Sequence, residues 1–267
     1  MRVALGIEYE GSDFRGWQIQ QEGVRTVQAC LEKALGKVAD HPVAVICAGR
    51  TDAGVHAIGQ VVHFDTEAQR SLRSWVLGSN TYLPADISVV WAQSVPARFH
   101  ARFSALTRHY RYVILNRPVR SALQRRRAAW FHRPLDAARM SAAGRYLLGE
   151  HDFSSFRALG CQAKHPVRTI YSLAVQQQGD LIVLEVEANA FLHHMVRNIA
   201  GVLMAIGTGE RPIHWIQEVL EVRNRTLGGV TAPPEGLYLL KVRYPGEFGL
   251  PSARVAELSA DYGFAQL

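Results

Sequence analysis

Cysteine is scarce in this sequence, and the little there is forms no pattern. Cys30, Cys47 and Cys161 are odd in number and far apart, with no C-x-x-C pair. That argues against a disulfide framework and against a cysteine-based zinc site, and for free thiols in a reducing compartment. Long apolar runs are missing too. No stretch approaches the ~18 residues that cross a bilayer. The opening MRVALGIEYE is interrupted by Glu8 and reads as a strand rather than a secretory leader. A cytoplasmic protein without a membrane segment is expected. Neither G-x-x-x-x-G-K-[ST] nor G-x-G-x-x-G occurs, and H-E-x-x-H is absent. Gly207-Thr208-Gly209 falls where glycines end helices. His193 and His194 are adjacent, so on a helix they would point apart rather than share a metal. No cofactor and no metal is expected.

Lysine is nearly missing as well. Of 30 basic residues only Lys33, Lys37, Lys164 and Lys241 are lysine, and the rest are arginine. An arginine-rich genome would produce the same bias, so distribution is the better guide. From Arg98 to Leu135 there are ten arginines and not one acidic residue. Phe99, Phe103, Tyr110, Tyr112, Trp130 and Phe131 are interleaved with them. Solvated surfaces mix both signs. A one-signed run with aromatics, in a chain of net charge +7, points to a polyanion such as nucleic acid. Arginine's planar fork suits phosphates and the faces of bases.

What is present is a well-patterned globular chain of 267 residues, 48% of them hydrophobic. Val3, Leu5, Ile7 and Tyr9 alternate as a half-buried strand does. Thr26 caps a helix with apolar positions Val27, Cys30, Leu31, Ala34, Leu35 and Val38. Val43 to Cys47 and Gln60 to Phe64 read as strands, Ser71 opens a helix, and Ile87 to Val95 is a strand. The order β-α-β-β-α-β then recurs. Thr107 to Leu115 is a strand, and Asp136 caps a helix to about Leu148. Val167 to Gln177 and Leu181 to Ala188 form a hairpin across Gly179-Asp180. A helix runs from about Phe191 to Ile206, an inserted helix opens at Pro212, and Gly236 to Tyr244 is the last strand.

Two split βαβ patterns in tandem predict an α+β protein of two ferredoxin-like halves, with mostly antiparallel mixed sheet. A duplication of this kind leaves an expected active-site cleft between the halves. The halves are read as residues 1–104 and 105–245, followed by a weakly patterned tail, 246–267.

One loop is denser in chemistry than a connection needs. Between two strands stands Ala48-Gly49-Arg50-Thr51-Asp52-Ala53-Gly54-Val55-His56-Ala57. By itself Asp52 fits a turn residue bonded to its own backbone. It equally fits a carboxylate kept ionised by a guanidinium and available as nucleophile or base. Arg197 sits within an apolar helical stretch, where a buried charge calls for a carboxylate partner. Tyr110 and Tyr112 alternate onto one strand face, where packing is the simple role for an aromatic, and the more fitting one for Tyr112.

The loop Gly49 to Ala57 resembles the signature of the TruA-type tRNA pseudouridine synthases. The likeness covers most of the chain. Phe14, Gly16-Trp17-Gln18 and Gln20 resemble the family's N-terminal pattern, and Phe99 to Ala105 with Arg108 to Tyr112 its middle segment. Asn189 to Asn198 and Glu235 to Leu239 resemble two late blocks. The resemblance implies that Asp52 is the catalytic aspartate and that Tyr110 stacks on the target base. It implies that Arg197 pairs with the aspartate, that Leu237 lines the pocket, and that Arg50 holds RNA or opens the base. His109 stands where many relatives carry a basic residue. Further implied are a homodimer and a tRNA substrate, with uridines 38, 39 and 40 of the anticodon stem-loop as targets.

Two rival readings use the same features. A noncatalytic RNA-binding protein fits the architecture, but the K/R-G-F/Y-G/A-F-V-x-F/Y motif is absent and the Asp52 loop is left unexplained. A glycosidic-bond hydrolase would need a second carboxylate, and Asp65 and Glu67 lie only beyond the next strand.

Overall fold

A computed structural model describes residues 1–251. Most of the expected tail, 252–267, lies outside the described residues. The chain forms two compact units. Among the described residues the first comprises Met1–Leu106 with residues 239–251, and the second Thr107–Tyr238.

The first unit begins with β1 (Arg2–Tyr9), α1 (Val27–Ala39), β2 (Ile46–Cys47), β3 (His56–Asp65), α2 (Leu72–Tyr82) and β4 (Ile87–Val95). This is the expected β-α-β-β-α-β order. β1 runs antiparallel to β3 on one side, with Arg2 opposite Asp65, and antiparallel to β4 on the other. β2 pairs antiparallel with β3. β1 is not half-buried as its alternation suggests: Val3, Ala4, Leu5 and Ile7 are all wholly buried, so both of its faces are covered, with small residues at Ala4 and Gly6 on the second face. The capping residues act as read. Thr26 accepts from the Ala29 N–H and Ser71 from the Ser74 N–H, each satisfying an otherwise orphaned donor. α1 buries Val27, Leu31, Ala34 and Leu35 on one stripe, and Trp75 of α2 meets Phe64 of β3 edge-on at 5.1 Å. The β2 strand is shorter than its apolar run. Pro42 stands at its head, and only Ile46 and Cys47 find ladder partners, His63 and Val62.

The second unit contains β5 (Thr107–Asn116), β6 (Ala129–Phe131), α3 (Ala137–Gly144), β7 (Gly149–Asp152), β8 (Val167–Gln178), β9 (Leu181–Ala188), α4 (Met195–Gly207) and α5 (Trp215–Val222). β10 (Leu237–Arg243) closes the element order. The strands run β5-β9-β8-β7, antiparallel throughout, with β6 added parallel to β5. The β8–β9 hairpin turns at Gly179 (φ 56), and Asp136 caps α3 by accepting from the Arg139 N–H. β6 and β7 went unread because three or four residues are too few to show a period. α4 starts at Met195 rather than near Phe191, since His194 adopts a left-handed backbone (φ 61) and interrupts the turn.

Candidate active site

Within the first unit the Asp52 loop is held by four residues outside it and by one bond of its own. At its start, Gln60 of β3 donates its amide to the Gly49 carbonyl at 2.6 Å and accepts from the Gly49 N–H. At its centre the Thr51 hydroxyl meets the Tyr9 hydroxyl at 2.7 Å in a buried pair. The Thr51 carbonyl accepts from the Trp17 N–H. Past the aspartate, the Val55 N–H returns to the Asp52 carbonyl, closing a turn through Gly54 (φ 80). At its end the Gly11 N–H donates to His56 Nδ1.

Glycines outside the loop make room for it. A Cβ on Gly11 would lie 2.0 Å from the Val55 carbonyl oxygen, and one on Gly16 (φ 93) would lie 2.9 Å from that of Thr51. The consequence is a side chain presented from a fixed backbone. Thr51, Val55 and His56 are buried, Asp52 is half-buried, and Arg50 is exposed. Such preorganisation is what a reacting carboxylate needs and an ordinary turn does not. Sequence reasoning named the loop but missed Tyr9, Gln60 and Gly11. Their signal was weak, because a buried strand tyrosine, glutamine or glycine has many ordinary uses.

Behind the loop the Cys47 thiol is buried, which pushes its pKa up to about 12 against the opposing guanidiniums of Arg50 and Arg102. It is a packed hydrophobe rather than a nucleophile.

In the second unit Tyr110 sits on β5, opposite Val186 of β9. It is buried to 7% exposure and meets Phe191 edge-on at 4.9 Å. Phe191 is the neighbour that sequence reasoning did not single out. The same face carries Tyr112, which is wholly buried and donates its hydroxyl to the Pro233 carbonyl at 2.8 Å. Burial raises its pKa further, so Tyr112 is a packing residue. The opposite face is polar. Arg111 and His109 both reach Glu185, and this hydrogen bonding holds the carboxyl down at about 2.

Arg197 occupies the first turn of α4, not the middle of a helix, and its Nε donates to the Ala232 carbonyl at 2.8 Å. The Ala232 N–H returns to the Arg197 carbonyl. Gly201, one turn on, admits the same segment: a Cβ there would lie 1.7 Å from the Val230 oxygen. Residues 230–237 therefore gather three of the features. They receive Arg197 at Ala232 and Tyr112 at Pro233, and they lead through a short 3-10 turn to Leu237, which is 6% exposed. His193 and His194 precede α4 rather than riding on it, with their rings 4.1 Å apart. The premise that helical spacing separates them does not hold, because the left-handed His194 folds one ring toward the other.

A family model described as tRNA pseudouridine synthase matches residues 6–104 and 143–245. Arg50, Asp52, Arg197 and Leu237 fall within those stretches, and Tyr110 falls outside them. The chain is 63% identical over 250 residues to the tRNA pseudouridine synthase A of Pseudomonas aeruginosa, covering 94% of this chain and 88% of that one. It is 61% identical over 251 residues to the protein of that name from Nitrosococcus oceani, covering 94% and 96%. With the one from Methylococcus capsulatus it shares 60% over 262 residues, covering 98% and 96%. A chain in the crystal structure of a Cbf5-Nop10-Gar1 complex is similar at 12% identity and a TM-score of 0.39. That likeness covers 91% of this chain and about half, 49%, of the other.

Proposed function

The chain belongs to the tRNA pseudouridine synthase family, and from that premise we propose that it isomerises uridine to pseudouridine within tRNA. The observation that carries the reading is the Asp52 loop: a half-buried residue on a backbone fixed by Gln60, Tyr9, Trp17 and Gly11. The targets are uridines 38, 39 and 40 of the anticodon stem-loop, and the enzyme acts as a homodimer in the cytoplasm.

The reaction needs no redox partner and no added group. The C1′–N1 bond breaks, the uracil turns, and a C1′–C5 bond forms. The C5 proton leaves and N1 gains one. The target base first leaves its stack, at a cost of roughly a few kcal/mol. Arg50 and other arginines on phosphates, and Tyr110 under the flipped base, offset that cost. Tyr110 suits this role because its edge contact with Phe191 fixes the ring. Arg197 supports the ionised aspartate, and Leu237 supplies an apolar wall. Asp52 is the essential carboxylate, acting either on C1′ or the base as nucleophile, or as the base that removes a sugar proton.

Tritium release from [5-³H]uridine in unmodified tRNA tests the reading. The wild-type protein should release tritium with the RNA chain intact. Asp52→Asn should abolish turnover while leaving tRNA affinity within about threefold, a change under about 1 kcal/mol. Free uracil and an abasic site would point to a hydrolase instead, and binding with no release to a noncatalytic RNA-binding protein. Full activity of Asp52→Asn would overturn the assignment.

A further inference from the structure

Residues 96–104 of the first unit form a turn whose geometry exceeds what a connection requires. Phe99 and Ala101 point inward and are wholly buried, while Phe103 is 76% exposed. No other aromatic among the described residues is as exposed. A single surface phenylalanine is unremarkable. What sets this one apart is how firmly it is held. His100 Nδ1 accepts from the backbone N–H groups of both Arg102 and Phe103, and the His100 N–H donates to Ser104 Oγ. The Ala101 N–H donates to His63 Nδ1, and Arg2 clasps the carbonyls of Ala97 and Phe99.

These bonds build a column of rings. His63 lies 4.9 Å from His100, and His100 stacks on Phe103 at 4.3 Å and 29°. Burial together with Arg2 lowers the pKa of both imidazoles. The outer end of the column is an exposed aromatic ring, and the Arg102 guanidinium lies 5.5 Å from its centroid. An immobilised π-face beside a guanidinium, in a stretch with no acidic residue, is the chemistry that receives an unpaired base and its phosphate.

Resting on the reading of the chain as a tRNA-modifying enzyme, we propose that Phe103, stacked on His100 and flanked by Arg102, is a second nucleobase platform. It takes an unpaired nucleotide of the RNA other than the one that reacts, with Arg102 on the adjoining phosphate. The ring is prepaid in entropy, since its backbone and its stacking partner are fixed before RNA arrives.

The test is equilibrium binding of a fluorescently labelled anticodon stem-loop RNA, beside a blunt RNA duplex of equal length. Phe103→Ala should weaken the stem-loop about tenfold or more and leave the duplex nearly unchanged, since stacking of one unpaired base is what is lost. Phe103→Trp should retain affinity, and its added fluorescence should be quenched when the stem-loop binds. Melting temperatures should fall by a few degrees at most in Phe103→Ala and stay near the wild type in Phe103→Trp, since the ring is largely exposed and its stack on His100 contributes only modestly to stability. Wild-type affinity in Phe103→Ala would overturn the proposal. So would a shift of that variant to a smaller species in sedimentation, which would make the ring a contact between protein copies. Binding is measured apart from turnover, so the two ideas fail separately. A wild-type protein that binds the stem-loop through Phe103 but releases no tritium sinks the catalytic reading alone.

Discussion

At the scale of single residues, the loop that carries the candidate catalytic group is held by neighbours that act through shape and hydrogen bonding. Tyr9 is the clearest. Its hydroxyl meets Thr51 inside the unit, next to the aspartate, and the pair is buried. Tyr9→Phe should cost about 1 kcal/mol of stability, the loss expected when a buried hydroxyl is left unmatched. It should also lower kcat more than it raises KM, because the loop moves while the RNA-binding surface stays. A double-mutant cycle with Thr51→Val, followed by urea unfolding and steady-state kinetics, checks both. A coupling energy near zero would show that the hydroxyls do not act together. Asp52 was legible as unusual from its company of glycine, arginine and histidine. Tyr9 was not, since alternation marks it only as a strand residue.

Among the elements, α4 and the segment beside it are packed at backbone distance. Ten of the thirteen helix residues are buried, and Arg197, Gly201 and Ala205 mark the remaining stripe at four-residue intervals. Residues 230–232 lie along that stripe at the distance a glycine allows. Gly201→Ala should push this segment away and loosen the Arg197–Ala232 bonds. The expected result is a stability loss of about 1–3 kcal/mol and a fall in tritium release well beyond what the lower melting temperature explains. Thermal unfolding and single-turnover rates on the same preparation measure it. The helix was legible as apolar, but its first residue was not. A left-handed histidine is a conformational choice that hydrophobic spacing does not report. That is why Arg197 looked mid-helix and is in fact at the first turn.

For the whole molecule, charge and protons matter more than any one contact. The acid-free stretch is acid-free only along the chain. Arg98 reaches Glu247, Arg111 reaches Glu185, Arg117 reaches Asp180 and Arg133 reaches Glu210. Folding thus tempers part of the positive field, and which arginines face RNA is decided in three dimensions. Stability should depend on pH through His63, which burial holds down at about 4 against an ordinary 6.5. Between those values the unfolded chain carries the proton and the folded one does not. Stability therefore rises with pH across the window and is lost as pH falls from 6.5 toward 4, by at most about 3 kcal/mol. Urea unfolding at pH 7, 6, 5 and 4.5 checks this against His63→Asn, whose side-chain oxygen replaces Nδ1 as acceptor for Ala101. The variant should show a flatter dependence, and an unchanged slope would remove His63 from the account. Glu185 loses its own contribution only as pH falls from 4.5 toward 2, so the two are separable. By itself the sequence determined the periodic elements, their caps, the β-α-β-β-α-β order and the loop that carries Asp52, because spacing and local hydrogen bonding are written in neighbouring residues. Only the tertiary structure decided where α4 begins, which carboxylates meet the arginines, how Tyr9, Gln60 and Gly11 clamp the loop, and that Phe103 is held outward. The clamp and the ion pairs depend on close approach between segments tens of residues apart. The start of α4 and the pose of Phe103 depend on backbone conformation and short-range side-chain bonds. Hydrophobic spacing reports none of these.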